Sequence, residues 1–387
     1  METTYQLKKI NVMILGGGIN SAVGSAHIAS LKLSGRYNIL GGFFSRNSMI
    51  NQESAKEYGL SNTRIYSDLN LLCSKEKDNI DAIIILTPTD QHYEQVITCL
   101  KMGIPVICEK ALVGNTLEAT EIKKLLNKKS GFLAVIYNYL GYPMIRELKA
   151  IIKKGLLGKI NQVLVEMPQE SFQRVNLKNE PLTPQDWRLK DNGVPTISLD
   201  LGIHLHIIVK YLTGELPLNV VSKQNSYGNF SEITDNINCL IEYSNHLICN
   251  MWFSKVALGK RNGLRVRILG SEGFAEWVQE EPERINISDC HGNNNILDRG
   301  SIKSTVGNQK RYTRFKAGHP TGFIEAFANY YEDIADGLII YLNEKTNQMD
   351  ADEFFGINEA YEGISLFEAI SKSNNSKSWE TIMNTDN

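Results

Sequence analysis

Cysteine is scarce and unpatterned in this chain. Six residues, at 73, 99, 108, 239, 249 and 290, form no Cys-x-x-Cys pair and stand in no histidine spacing that would hold zinc. Neither a disulfide framework nor a metal is expected, and the six read as reduced thiols. Charge of one sign is missing too: 41 Lys and Arg stand against 43 Asp and Glu, a net of -2 with both signs mixed along the chain. Without a basic stripe nothing neutralises a phosphate backbone, so nucleic acid is not expected as a partner. Long apolar runs are absent. None approaches the ~18 residues of a membrane span, and the first ten residues, METTYQLKKI, have no apolar signal core. These absences predict a cytoplasmic protein with no membrane association. There are no internal repeats. At ~150 residues per domain, 387 residues predict two or three domains with a core that needs no cross-links.

What is present is a change of rhythm. In the N-terminal third, the apolar runs Ile10 to Leu15, Ile39 to Phe44, Ala82 to Leu86, Pro105 to Cys108 and Phe132 to Ile136 alternate with helical patterns such as His92 to Met102 and Leu117 to Leu126. Strands covered on both faces by crossover helices read as unbroken apolar runs, so this cadence predicts βαβ units and a parallel sheet. Beyond about residue 140 it changes. A helix (Met144 to Lys154), a strand (Lys159 to Met167) and a helix (Ile197 to Leu212) precede closely spaced strands at Asp235 to Tyr243, Leu247 to Val256 and Leu264 to Leu269. Adjacent strands with short turns imply antiparallel pairing. Residues 169–195 and 291–318 read as polar loops. Two helices close the chain, the first with Phe323, Phe327, Tyr330, Ile334 and Leu338 on one apolar face. The expected organisation is an α/β parallel-sheet domain, residues 1–137, then an α+β domain, residues 138–387, that includes both closing helices.

The segment INVMILGGGINSAVGSAH runs a strand into glycines and then into a helix. Gly16 and Gly18 let the backbone turn tightly and approach a pyrophosphate, while the following helix N-terminus offers free N–H groups and a partial positive charge. Ile19 and Asn20 continue that turn and are placed at the cofactor with it. The spacing is not G-x-G-x-x-G: position 21 is Ser and the third glycine, Gly24, comes three residues late, which implies a loop enlarged by about one helical turn. A plain strand-to-helix turn is the competing reading, weakened by the loop's place after the first strand of a βαβ series. At the end of the second strand no acid awaits the ribose 2′-hydroxyl of NAD. The chain has Phe44-Ser45-Arg46-Asn47 there, with no Asp or Glu between Tyr37 and Gln52. Ser45 and Arg46 can hold a 2′-phosphate, and Arg46 can equally stack on adenine or face solvent, so the cofactor is NAD or NADP.

The stretch LTPTDQHYEQVITCLKMGIPVICEKAL carries Thr87, Pro88 and His92 as Thr-Pro-x-x-x-His, then Gly103, Val106, Glu109 and Lys110 as Gly-x-x-Val-x-x-Glu-Lys. Gly24 and His27 form a Gly-x-x-His, and SLDLGIHLHII contains Asp200, Gly202 and His204 as Asp-x-Gly-x-His. Together these blocks resemble the glucose-fructose oxidoreductase, inositol dehydrogenase and rhizopine-catabolism (Gfo/Idh/MocA) family. The resemblance implies a Rossmann domain followed by a large, mostly antiparallel open sheet. It also implies an NAD(P)-dependent oxidoreductase that acts on CH–OH groups of a sugar or polyol and forms a homodimer or homotetramer through that sheet. Thr87, Pro88, His92 and Glu109 fall on the cofactor side, with His27 and His92 also open to a supporting role. Two departures stand out. Ala111 replaces the proline that usually follows the lysine. A cis bond before Ala would cost ~3 kcal/mol, so Lys110 is expected to be directed by a different local route. Asn192-Gly193-Val194-Pro195 replaces a glycine-rich stretch before the second block.

Oxidising a secondary alcohol needs a positioned nicotinamide, a base for the hydroxyl proton and charge stabilisation for the forming alkoxide. Asp200 and His204, four apart, share one face of a helix. His204 is the natural acid/base, since an imidazole titrates near neutral pH. Asp200 can bind a substrate hydroxyl or orient the ring. Lys110, at the carboxyl end of a parallel strand, can donate to the reacting oxygen. The bland alternatives are a surface lysine, a satisfied helix histidine and a helix carboxylate. His206 points away from His204 and reads as structural. Tyr139, Tyr142, Trp187, Arg188 and His319 are candidates for the substrate side, with core packing or turn roles as their alternatives. Two other classes compete with the dehydrogenase reading: a dinucleotide-sensing regulator without catalysis, and a glycoside-cleaving enzyme that oxidises transiently with tightly held NAD.

Overall fold

A computed structural model describes residues 9–61, 64–344 and 353–383; the first eight residues of the stretch read above for a signal core lie outside them. The chain opens with β1 (Ile10–Gly16), α1 (Gly24–Ser34), β2 (Tyr37–Phe43), α2 (Ser48–Glu57), α3 (Leu69–Glu76), β3 (Ala82–Leu86), α4 (Thr89–Lys101), β4 (Val106–Glu109), α5 (Thr116–Lys129) and β5 (Leu133–Ile136). There follow α6 (Pro143–Lys153), β6 (Ile160–Pro168), α7 (Ile203–Thr213), β7 (Pro217–Asn225), β8 (Asn236–Tyr243) and β9 (Ile248–Ser254). The remainder is β10 (Arg265–Gly270), β11 (Gly273–Val278), β12 (Arg284–Asp289), β13 (Asn294–Asp298), α8 (Phe323–Glu344), α9 (Ile357–Ser376) and β14 (Glu380–Thr381). Two compact units result. The first holds residues up to Val113, Leu117–Gly141 and Phe323–Ala360; the second holds Gly114–Thr116, Tyr142–Gly322 and Tyr361 onward.

In the first unit five strands run parallel in the order β2-β1-β3-β4-β5. Ala82 to Leu86 are buried without exception, as a strand covered on both faces requires. Sequence direction reverses between β1 and β3, and in such sheets the crevice outside the strands' carboxyl ends at that point is where ligands bind. Helix starts are set locally. Asn47 caps α2 by accepting from the Ile50 amide at 3.1 Å, and Asp68 caps α3 by accepting from Leu71 at 2.8 Å.

The units part at Gly141/Tyr142, close to the cut expected at 137/138, but α8 groups with the first unit instead of the second. Phe327, Tyr330, Ile334 and Leu338 on its predicted apolar face are buried, whereas Phe323 is partly exposed. Polar contacts fix the docking: Asn329 donates to the Gly141 carbonyl at 2.8 Å, Tyr330 to that of Val135 at 3.0 Å, and Ser30 of α1 to that of Ile324 at 3.0 Å. A Cβ at Gly141 would lie 1.8 Å from the Ala326 carbonyl oxygen, so only glycine permits this approach.

The second unit is a nine-stranded sheet, β13-β12-β11-β10-β6-β9-β8-β7-β14, antiparallel except for the β6–β9 pair. Along β9 alternate residues Cys249, Met251 and Phe253 are buried, the period of a strand with one covered face. Each such side chain contributes about 1.5–3 kcal/mol on burial. The polar segment 291–318 is not all loop: it contains β13, paired with β12.

The rest of that segment is pinned by a buried carboxylate. Glu147 of α6 accepts from the amides of Thr305, Val306 and Gly307 at 2.6–3.0 Å and from the Ser304 hydroxyl at 3.0 Å. Its neighbour Arg146 donates to the Tyr312 hydroxyl at 2.7 Å. Burial raises the Glu147 pKa, but the bonds from Gly307, Val306, Thr305 and Ser304 outweigh it and leave the value below that of an ordinary glutamate.

Stability carried by a depressed carboxyl is fully present above its unfolded pKa and is lost as pH falls through the folded value. Glu147→Gln should therefore destabilise the chain by about 2 kcal/mol at pH 7, read by chemical denaturation. The gap to wild type should begin to narrow below about pH 4 and close as pH falls through the lowered folded value. A gap that persists unchanged into acid would contradict this account of the loop.

Candidate active site

The glycine turn in the first unit is shaped by contacts no side chain could share. Gly16 and Gly17 have φ of 81° and 68°, and a Cβ on Gly16 would sit 2.8 Å from the Leu86–Thr87 backbone. A Cβ on Gly24 would fall 2.3 Å from the Gly17 carbonyl oxygen. Gly24, though three residues late, thus performs the third glycine's task of letting helix and strand approach. The intervening residues turn without forming a helix: Ser21 donates its amide to the Gly18 carbonyl at 2.8 Å and accepts from the Gly24 amide at 3.2 Å. Ile19 and Asn20 are exposed at the mouth. A backbone cradle that a methyl group would fill, opening onto a helix N-terminus, fits a pyrophosphate.

The other first-unit candidates gather at the same strand ends. Thr87 is half-buried and Pro88 exposed just beyond β3. His92 is fully buried, with Nδ1 2.8 Å from the Ala111 carbonyl and Nε2 2.7 Å from that of Thr87. Burial lowers its pKa against the pull of those carbonyls. Its part is to tie the Thr87 turn to the segment after Lys110. The Lys110–Ala111 peptide is cis, so the different local route expected without proline is not taken. Tyr139 is buried, with its ring 6.2 Å from that of Phe323.

Behind Lys110 lies a buried chain of polar groups. His27 of α1 is fully buried, with Nδ1 2.8 Å from the Tyr331 hydroxyl of α8. Its Nε2 lies 3.1 Å from Glu109 Oε1, close but out of line for a hydrogen bond. The other Glu109 oxygen accepts from the Lys110 amide at 3.0 Å. Burial, then the Glu109 charge, then Tyr37 push the Tyr331 phenol well up, so it keeps its proton and donates. With the phenol donating, Nδ1 accepts and Nε2–H faces the carboxylate. Tyr331 was not foreseen, and its position gave no signal beyond helical periodicity.

In the second unit Asp200 lies in a single π-turn, Ser198–Gly202, that runs directly into α7. A Cβ on Gly202 would be 2.6 Å from Phe367, so the motif's glycine admits that ring against the turn. Asp200 is 7% exposed and His204 5%. The Asp200 carboxylate is clamped by two cations: Lys255 Nζ at 2.8 Å and Arg188 Nε at 3.2 Å. Arg188 also stacks over the Trp187 ring at 4.6 Å, which brings both loop candidates to Asp200. Lys255, 4% exposed, was not anticipated. Strand parity could have found it, since it continues the buried alternation of Met251 and Phe253.

The remaining second-unit candidates stand apart from this clamp. His206 is fully buried 3.5 Å from Glu362, and burial, then repulsion from Lys210, push its pKa down to about 3. Tyr142 is buried with its ring 5.3 Å from that of Trp277, a packing role. His319 is exposed beside Phe315, its carbonyl accepting from the buried Arg299 guanidinium at 3.2 Å. Among the described residues no group of three or more His, Cys, Asp or Glu is placed to hold a metal, and no helix is long and apolar enough to cross a membrane.

Comparison with known proteins agrees with these features. The profile described as "Oxidoreductase family, NAD-binding Rossmann fold" (GFO_IDH_MocA) matches residues 10–137, and the GFO/IDH/MocA C-terminal domain matches residues 145–276. An uncharacterized oxidoreductase of Bacillus subtilis, YfiI, is 27% identical over 377 residues, 95% of either chain. A levoglucosan dehydrogenase of Pseudarthrobacter phenanthrenivorans is 21% identical over 312 residues, covering 73% of this chain and 77% of its own. Among solved structures, an inositol dehydrogenase homolog of Azotobacter vinelandii complexed with NADH and myo-inositol superposes with a TM-score of 0.88 at 24% identity. That match covers 97% of this chain and 98% of the other.

The glycine geometry makes a direct prediction. Gly24→Ala should lower dinucleotide affinity by about tenfold or more, measured by fluorescence titration, at a stability cost of about 1–3 kcal/mol. Wild-type affinity in that variant would mean that the Gly17–Gly24 contact does not shape the cradle.

Proposed function

Because this chain belongs to the GFO/IDH/MocA family of NAD(P)-dependent oxidoreductases, we propose that it interconverts a secondary hydroxyl and a ketone on a sugar, sugar derivative or cyclic polyol. The observation that carries this reading is the Asp200 carboxylate, fixed by Lys255 and Arg188 one turn before the buried His204. A bound nicotinamide supplies the hydride acceptor or donor. Gly16, Gly18, Ile19 and Asn20 cradle its pyrophosphate, and Ser45, Arg46, Thr87 and Pro88 line its path along the strand ends. His92 and Glu109 hold that wall from behind.

His204 takes the hydroxyl proton in oxidation and returns it in reduction. Lys110 donates to the reacting oxygen and stabilises the negative charge that grows there. Asp200, fixed by Lys255 and Arg188, is the acceptor for a neighbouring substrate hydroxyl. Trp187 and Arg188 offer an aromatic face and a donor fork to a polyhydroxylated ring, and His319 is the further candidate contact. Tyr139 and Tyr142, both buried in their own units, are the remaining candidates for the substrate side. Relatives named for inositol and levoglucosan support a ring polyol or anhydro sugar as substrate. We assign homodimer or homotetramer assembly to the half-exposed sheet face bearing Trp252 and the Glu166–Arg267 pair.

The test is Lys110→Ala assayed with inositols, levoglucosan and aldoses. Turnover should fall by about 10²–10³-fold or more, as when an oxyanion donor is removed, while NADH or NADPH still binds. Wild-type-like turnover would remove Lys110 from the chemistry.

A further inference from the structure

The end of β2 carries an inference about which dinucleotide this chain prefers, and it rests on the dinucleotide-binding reading above. We infer that Ser45 and Arg46 form a seat for a phosphate on the adenosine 2′ position, so that NADP(H) rather than NAD(H) is the working cofactor.

Three observations converge. First, β2 and the glycine turn share one wall. A Cβ on Gly18 would lie 3.1 Å from both the Phe44 carbonyl oxygen and Ser54 Oγ. Ser54 Oγ accepts from the Ile19 amide at 3.0 Å, and the Tyr58 hydroxyl donates to the Gly17 carbonyl at 2.7 Å. A dinucleotide with its pyrophosphate on that turn brings its adenosine ribose to the residues just after β2.

Second, nothing there favours a bare ribose. A carboxylate at this point accepts from the ribose hydroxyls and repels a phosphate. No Asp or Glu occurs from Tyr37 to Gln52, and the first turn of α2 holds none. The start of α2 therefore adds no negative charge beside Ser45 and Arg46.

Third, the two side chains present are free to serve an anion. Ser45 Oγ accepts from the Asn47 amide at 3.2 Å, an arrangement that leaves its own proton available to a phosphate oxygen. Arg46 is exposed and makes no hydrogen bond or ion pair with the described residues. A guanidinium with both edges unused is the group that grips phosphate bidentately.

The full-length protein should be titrated with NADPH and NADH by fluorescence at low and high salt. Competition by adenosine 2′,5′-bisphosphate and by 5′-AMP, the Arg46→Ala variant and its circular dichroism complete the set. NADPH should bind about tenfold or more tighter than NADH, with the gap narrowing as salt rises. The bisphosphate should compete far better than 5′-AMP. Arg46→Ala, with an unchanged spectrum, should collapse most of the gap by weakening NADPH. Equal or tighter binding of NADH overturns the inference and leaves the dehydrogenase reading standing. So does an Arg46→Ala variant that weakens both cofactors equally, which would mean stacking on adenine. Failure of both cofactors to bind would overturn the two together.

Discussion

A single buried imidazole ties the lysine-bearing end of β4 to helices from opposite ends of the chain. His27 enters from α1, Tyr331 from α8 and Glu109 from β4, and the histidine and the tyrosine are shut off from water. Burying a carboxylate as deeply as Glu109, 9% exposed, is costly unless the charge is met by donors. The Lys110 amide donates to it, and the His27 ring stands 3.1 Å away without a hydrogen bond in line. Removing the ring would leave the carboxylate poorly matched in a closed site, the situation in which buried pairs reveal their largest effects. Because Glu109 and Lys110 are adjacent, the packing of α8 bears on the direction in which the lysine leaves the strand.

The second unit solves a similar problem with opposite charge. Asp200 is a buried acid on a π-turn, and Lys255 and Arg188 reach it from a strand end and a loop. π-Turns of this kind are uncommon and cluster at functional sites. Here the turn sets Asp200 immediately before the helix that carries His204, while Gly202 admits Phe367 behind it. In both units a catalytic candidate is therefore backed by buried polar neighbours, which limits its freedom before any ligand arrives.

Much of this was legible from residue order. The βαβ cadence, the glycine turn and the paired blocks around Lys110 and His204 depend on local spacing, which sequence displays. What it does not display is partner choice over long separations. The apolar stripe of α8 announces an amphipathic helix, but nothing in it says that Tyr331 will meet His27, 304 positions away. Depth of burial is not displayed either. Tyr139 and Tyr142 are amphipathic and follow the last parallel strand, a place suited to substrate, yet both are buried. The polar composition of residues 291–298 concealed β13 because an edge strand has only one neighbour to satisfy. Lys255 was hidden by the habit of reading lysine as surface, although strand parity pointed it inward. Gly24 was visible, and its lateness is explained only by the Gly17 contact.

The central claim is direct hydrogen transfer between a ring carbon and the nicotinamide, and isotope tracing tests it most directly. Inositols and anhydro sugars deuterated at every ring carbon would be incubated with the protein and oxidised cofactor, and the reduced cofactor analysed by mass spectrometry and proton NMR. The account predicts one deuterium per reduced cofactor, at nicotinamide C4, with none acquired from solvent. Reduced cofactor that carries no label, or deuterated substrate lost without any cofactor reduction, would contradict it.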